Sequence, residues 1–227
     1  MRLINLIYGD CRFQFKYGFY FVYVIFTIMY ISLMFFLPLE WREKAAAVLI
    51  FSDPSAMGLF FMGAIVLLEK SESVLNTIAV SPVRAGEYII SKVVSLGIIS
   101  VIAGASISLA ADTDNMLIVI MGVFVGSALF TLIGLIVAAN INSLNQFVTS
   151  AVPVEIIIFV PPILYLFGYD NKLMLLHPGC MIMSMISGSS DYILLFMPAL
   201  IAWFLFLYEI ARINVFKMFQ RLGGIKL

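Results

Sequence analysis

Histidine occurs once in these 227 residues, cysteine twice, and charged side chains make up only 11% of the chain. Each scarcity removes a class of chemistry. The lone imidazole, His177, has no companion at metal-ligand spacing, so a zinc-type centre has no ligand set. The motifs G-x-S-x-G, H-E-x-x-H and G-x-x-x-x-G-K-[ST] are all missing from the sequence, and Gly223-Gly224 runs into Ile225 rather than into Lys-Ser. The sequence therefore offers no catalytic residues, no metal site, no P-loop and no cofactor held by this chain. Acidic and basic residues balance at 13 each, so no excess of charge points to nucleic acid.

What is abundant is hydrocarbon. Hydrophobic residues reach 63% and mean hydropathy is +1.10, whereas a soluble domain sits near half apolar and a quarter charged. A membrane-crossing helix needs about 20 mostly apolar residues. Six segments qualify: Tyr17–Leu37, Ala46–Leu68, Ile89–Ala110, Met116–Ala138, Phe147–Phe167 and Tyr192–Ala211. They consume most of the chain, so the expectation is a single all-α transmembrane domain over 1–227.

Orientation is read from Lys and Arg in the short connections. If the N-terminus is cytosolic, the cytosolic segments hold Arg2, Arg12, Lys16, Lys70, Arg84, Lys92, Arg212, Lys217, Arg221 and Lys226. The outside loops hold Arg42, Lys44 and Lys172. Both termini are thus expected in the cytosol, although Asn140–Gln146 carries no positive charge. The first apolar run ends in FFLPLEW rather than in a small-residue cleavage site, unlike a signal peptide. Cys11 and Cys180 fall on opposite sides and cannot pair within one chain.

Residues 2–16 pattern as an amphipathic helix lying in the headgroup plane. Arg2, Asn5, Gly9, Arg12 and Lys16 share one face, and Leu3, Ile4, Ile7, Cys11 and Phe15 the other. The longest polar run between two spans is Glu69–Lys92. Within it Val74, Leu75 and Ile78 make a small apolar face at helical spacing. Ser81-Pro82 then predicts a serine N-cap and a proline at the first position of a helix running through Glu87 and Lys92 into the third span. This segment is where a soluble partner is expected to dock.

Small residues at packing distance, Gly58 and Gly63, Gly104 and Ser108, Gly122 and Gly126, predict close helix approaches. The fifth span holds Pro153, Pro161, Pro162 and an acid, Glu155, with kinks expected at the prolines. Glu155 is read either as a polar point on a substrate pathway or as a shallow interfacial residue. Asp53-Pro54-Ser55 is expected at the outer end of the second span, capping a helix, and Glu209 is expected to meet either Arg212 or the membrane interface. The stretch 169–190, with His177 as an interfacial residue, is too apolar for a wet loop. It predicts a re-entrant or interfacial element, its run Met181–Ile186 dipping into the membrane.

This architecture resembles the type-2 ATP-binding-cassette exporter permeases. The residues that carry the likeness are Leu68-Glu69-Lys70 through Val74-Leu75, then Val80-Ser81-Pro82, Glu87-Tyr88 and Ser91-Lys92. Arg12 to Phe19, Asp53-Pro54-Ser55 and Phe61 to Ala64 are similar to the fluoroquinolone-export-type permease subunits. The resemblance implies a permease of a prokaryotic cytoplasmic membrane, with ATP bound on a separate ATPase subunit and a second permease copy, identical or paralogous. It implies coupling to that ATPase through Glu72, Val74, Leu75, Ile78, Ser81, Pro82 and Arg84. Glu155, Pro161 and Pro162 are the candidates for the path of an apolar or amphipathic cargo. Two other classes stay open: a six-span substrate-binding module of a vitamin importer, and an intramembrane enzyme.

Overall fold

A left-handed glycine opens the structure. In the computed structural model, which describes residues 2–113, 115–169, 171, 174–188 and 193–222, Gly18 at φ 78° separates α1 (Arg2–Lys16) from α2 (Phe19–Phe36). That backbone region suits glycine, which has no Cβ to clash. The chain continues as α3 (Leu39–Ile50), a π-helical turn (Phe51–Ser55), α4 (Met57–Ser71), α5 (Val74–Val80), α6 (Ala85–Ala111) and α7 (Met116–Ala139). It ends with α8 (Leu144–Leu166), a 3₁₀ turn (Met174–Leu176), α9 (Pro178–Ile186) and α10 (Ile193–Leu222). No strand occurs among the described residues.

Six of these helical stretches are long and apolar enough to cross a membrane: α2, the continuous Leu39–Ser71, α6, α7, α8 and α10. They match the six segments read from the sequence, with shifted edges. The second span starts at Leu39 rather than Ala46, and α10 runs on to Leu222 rather than ending at Ala211. Tyr192, Lys172, Lys226 and Gly223-Gly224 lie outside the described residues.

The second span departs most from expectation. Asp53 does not cap a helix at its outer end; it lies inside a helical stretch that begins fourteen residues earlier. Pro54 explains the local form. Its ring would press on the carbonyl of Ile50 and it has no N–H to give. One wider turn accommodates that, and the helix continues into α4.

α7 is the hub. It packs on α4, α6, α9 and α10, and its glycines set the distances. A Cβ on Gly134 would lie 2.5 Å from the Leu59 carbonyl oxygen and 2.8 Å from its Cα. Gly122 faces Met185 and Ile186, and Gly126 faces Ile182 and Ser55. This stripe therefore receives α9 and the π turn of the same chain. Gly122 and Gly126 stand six and ten residues into α7, so α9 lies beside about 9–15 Å of that helix. Every α9 residue from Gly179 to Ile186 is buried. Gly58 and Gly63 work similarly, against Thr131 and the Phe147 ring, and Gly104 sits against Val123.

The periphery is looser. In the most apolar window of α2 or α8 17% of residues are buried, and in α10 11%, against 56% for the other three spans. α8 runs without a break through Pro153, Pro161 and Pro162. Its N-cap is Ser143, which accepts from the Gln146 backbone N–H at 3.3 Å.

Gly134→Val should be among the most damaging single changes, because backbone rather than a mobile side chain occupies the space. A loss of about 3 kcal/mol or more is expected. Gly9→Ala, with nothing within 4 Å, should leave stability unchanged or raise it by up to about 1 kcal/mol. Thermal unfolding of the two variants in one detergent tests the contrast. Equal melting temperatures would show that the α4–α7 approach is not tight.

Candidate functional site

At the end of the bundle that carries α1 and the last turns of α10, polar residues cluster where the apolar spans stop. Lys92, 1% exposed, sits on α6 and donates to Asp10 of α1 at 2.6 Å and to Glu69 of α4. Tyr88, one turn earlier on α6, donates its hydroxyl to the other oxygen of Glu69 at 2.6 Å. The Lys92 ammonium also stands 5.0 Å from the centre of the Tyr88 ring. One cation thus holds two carboxylates from two other helices. A buried ammonium is tolerated only when paired and hydrogen-bonded in this way.

Further bonds extend the cluster along α1. Gln14, buried, donates to Ser95 of α6 at 2.8 Å. Tyr17 donates to Glu72, just before α5, and Arg2 donates to the Pro82 carbonyl at 3.3 Å. The N-terminal helix is therefore fastened to both ends of the Glu69–Lys92 segment. Lys70 adds a link elsewhere, donating to the carbonyls of Ala138 at 3.0 Å and of Ile141, so that a cation closes the C-terminal end of α7.

The sequence pattern gave α1 two faces, and the structure gives it three. Arg2, Asn5, Gly9, Arg12 and Lys16 are exposed, as are the apolar Ile4, Tyr8 and Phe15. The third face, with Asp10, Phe13, Gln14 and Tyr17, turns to the bundle. Asp10 and Gln14 escaped the sequence reading because each is a lone polar residue in an amphipathic pattern. The spacing Asp10–Gln14–Tyr17, one helical stripe, was the available signal.

The Glu69–Lys92 segment holds the two helices read from its spacing, with the second starting later than expected. α4 runs on to Ser71, and α5 covers Val74–Val80. α6 begins at Ala85, not at Pro82. The Glu87 carboxylate accepts from the Arg84 N–H at 2.9 Å, which places the N-cap at Arg84. Ser81 instead closes α5, its hydroxyl donating to the Ile78 carbonyl at 2.7 Å. The apolar face expected to meet a partner is turned inward. Leu75 is fully buried, and Val74 and Ile78 are half-buried. The residues of this segment left on the surface include Glu72, Asn76, Thr77, Val80, Pro82 and Arg84, with Val80 77% exposed. Val80 and Arg84 also rim a groove of about 1190 Å³ between α5, the start of α6 and the last turns of α10.

The other candidate positions sit apart. Glu155 is half-buried on α8 with no hydrogen bond or ion pair among the described residues. Pro161 is half-buried, while Pro162 is buried; its ring would stand 2.6 Å from a Cβ at Gly179. Pro162 is thus a packing surface for α9. His177 is the N-cap residue of α9, and burial holds its imidazole below its ordinary range. Glu209 and Arg212 do pair, at 2.9 Å, on an exposed face where the bond is worth little.

Lys92→Met should cost about 3–5 kcal/mol, because Glu69 and Asp10 lose their common cation. The triple variant Asp10→Asn, Glu69→Gln, Lys92→Met should recover most of that, since no charge is then stranded. Thermal melts of the purified variants check this. A triple variant no more stable than the single one would show that the charges are not coupled.

Comparison with known proteins bears on the whole chain. The model of the fluoroquinolones export permease protein family matches residues 1–222. Two proteins of Mycobacterium tuberculosis, from strains CDC 1551 / Oshkosh and ATCC 25618 / H37Rv, are each named a fluoroquinolones export permease protein. Each is 23% identical to this chain over 180 residues, which covers 78% of this chain and 76% of the relative. With six apolar spans, one polar cluster at the terminal end and a family match over nearly its full length, the chain belongs to the fluoroquinolones export permease protein family.

Proposed function

We propose that this chain is the permease subunit of an ATP-binding-cassette exporter, moving an apolar or amphipathic small molecule outward. ATP is bound and hydrolysed on a separate ATPase chain. The observation that carries this reading is the fastening of α1 to the Glu69–Lys92 segment through Lys92, Gln14, Tyr17 and Arg2. A subunit with no chemistry of its own needs a rigid surface on which another protein can push. Here α5 is short, anchored inward by Leu75, and tied to three spans through its neighbours. Its outer face, Asn76, Thr77 and Val80 with Arg84 beside it, is the contact for the ATPase. The ten-to-three excess of Lys and Arg supports a cytosolic location for this end and for both termini. The relatives' names favour a drug-like cargo.

A second permease copy completes the pathway. α8 presents Val152, Ile156, Ile157 and Val160 outward on the helix that also carries Glu155. A carboxylate at that depth costs roughly 2.5–3.5 kcal/mol against lipid on insertion scales, so a protein neighbour or watery cavity is the favourable setting. A homodimer supplies one, and a paralogous subunit would do the same.

Cysteine labelling and one charge substitution test the reading. A cysteine at Thr77 should react only from the cytosolic side, and one at Trp41 only from outside. Val80→Asp, on an exposed residue, should leave the melting temperature unchanged. It should lower substrate-stimulated ATP hydrolysis of the complex about ten-fold or more, the scale of losing one hot-spot contact. Leu75→Asp should instead unfold α5. Wild-type hydrolysis by the Val80 variant, or outside labelling at Thr77, would overturn the assignment. Mass measurement in lipid discs should find two permease chains per active complex; full transport with one would refute the dimer.

A further inference from the structure

The π turn places a carboxylate inside the second span, and its surroundings are chemically specific. Asp53 stands eight residues beyond Ala45, where the unbroken apolar run begins, or about 12 Å along the helix. Tyr30, on α2, lines the same small cavity as the carboxylate. The second carboxylate oxygen, Oδ2, is buried without a hydrogen-bond partner. No Lys or Arg forms an ion pair with Asp53 among the described residues. Beside it is a cavity of about 10 Å³ lined by Asp53, by Tyr23, Phe26, Thr27 and Tyr30 of α2, and by the apolar Pro54, Met57, Ala103 and Ile107.

Packing alone does not account for this set. A carboxylate at membrane depth is costly and calls for a counter-charge or a proton. Aromatic rings attract cations through their faces, and three of them border this space from α2. The volume is that of one water-sized group, which an ammonium head fills and a ring system does not. The site is also rigidly backed. Tyr23 reaches Ser100 at 3.3 Å, and Ser100 reaches Ser127 at 3.0 Å, so one wall is held by α6 and α7. The rings themselves, Tyr23, Phe26 and Tyr30, all stand on α2, among the least packed of the spans. Asp53 itself is half-buried, so the recess lies at the flank of the chain.

We propose that Asp53, with Tyr23, Phe26 and Tyr30, forms a recognition site for the protonated amine of an amphipathic cargo. The carboxylate supplies the counter-charge, the rings border the ammonium on the α2 side, and the apolar body of the cargo stays outside the recess. This deepens the export reading by naming the class of substrate, and it rests on that reading for the direction of movement. The site's own binding does not need the ATPase.

The test uses the full-length permease in lipid discs with no ATPase present. The probes are a dansyl-labelled primary alkylamine and its N-acetyl analogue, which has the same skeleton without the charge. Binding is followed by dansyl fluorescence after subtraction of empty discs. The wild type should bind the amine about ten-fold more tightly than the acetyl compound. Asp53→Asn should erase that preference and leave acetyl binding within about two-fold, with an unchanged far-ultraviolet melt. Should the Asn variant not fold, Tyr30→Leu serves: it should weaken amine binding several-fold and leave the acetyl compound unaffected. An absent wild-type preference, or variants that weaken both probes equally, would overturn the proposal. Because no ATPase takes part, that failure is separate from failure of the Val80 test.

Discussion

The pairing of Lys92 with Asp10 and Glu69 is the constraint on which the terminal end of this protein depends. An ammonium, two carboxylates and a phenol converge where α1, α4 and α6 meet. Ion pairs of this kind add little net stability compared with a well-packed apolar alternative. They do, however, punish any arrangement in which a partner is missing. Hydrophobic contact alone would let α1 slide or roll, because such contact is non-directional. The charges fix its register on α6.

From that constraint the rest of the end follows. With α1 placed, Tyr17 reaches Glu72 and Arg2 reaches Pro82, so the polar segment between the second and third spans is held at both ends. Lys70 secures the neighbouring end of α7. The opposite end is built on shape instead. Gly122 and Gly126 receive α9, Gly179 receives Pro162, and nearly every α9 side chain is buried. One end is joined by charge and the other by close contact, and the spans between them divide into a tight inner group and a loose outer one.

Much of this was legible in the sequence. Six apolar runs of span length leave few alternatives, and their number and order held. The amphipathic N-terminal helix, the short polar helix and the Glu209–Arg212 pair were also readable from spacing. What was not legible has a common physical cause. Asp10 and Gln14 are single polar residues whose meaning depends on residues some 80 positions away, at Lys92 and Ser95. The start of α6 at Ala85 turned on a side-chain bond from Glu87, which competes with the preference of proline for a first helical position. Asp53 was misplaced because a proline after an acid usually marks a helix end. In this span the helix passes through it by widening one turn, and no local pattern distinguishes the two outcomes.

Gly18 has a mechanical consequence. It is the sole residue between Tyr17, bonded to Glu72, and α2, which begins at Phe19. There is no slack linker at this joint, so α2 is a lever whose fulcrum sits at the polar end. Tyr23 and Tyr30 ride on that lever, the latter about 18 Å from the fulcrum by helical rise. A tilt of only about 6° at Gly18 would carry the Tyr30 position roughly 2 Å, enough to open or shut a gap the width of a small atom. The charge cluster and the recess at Asp53, far apart as packing units, are in this sense the short and long arms of one lever.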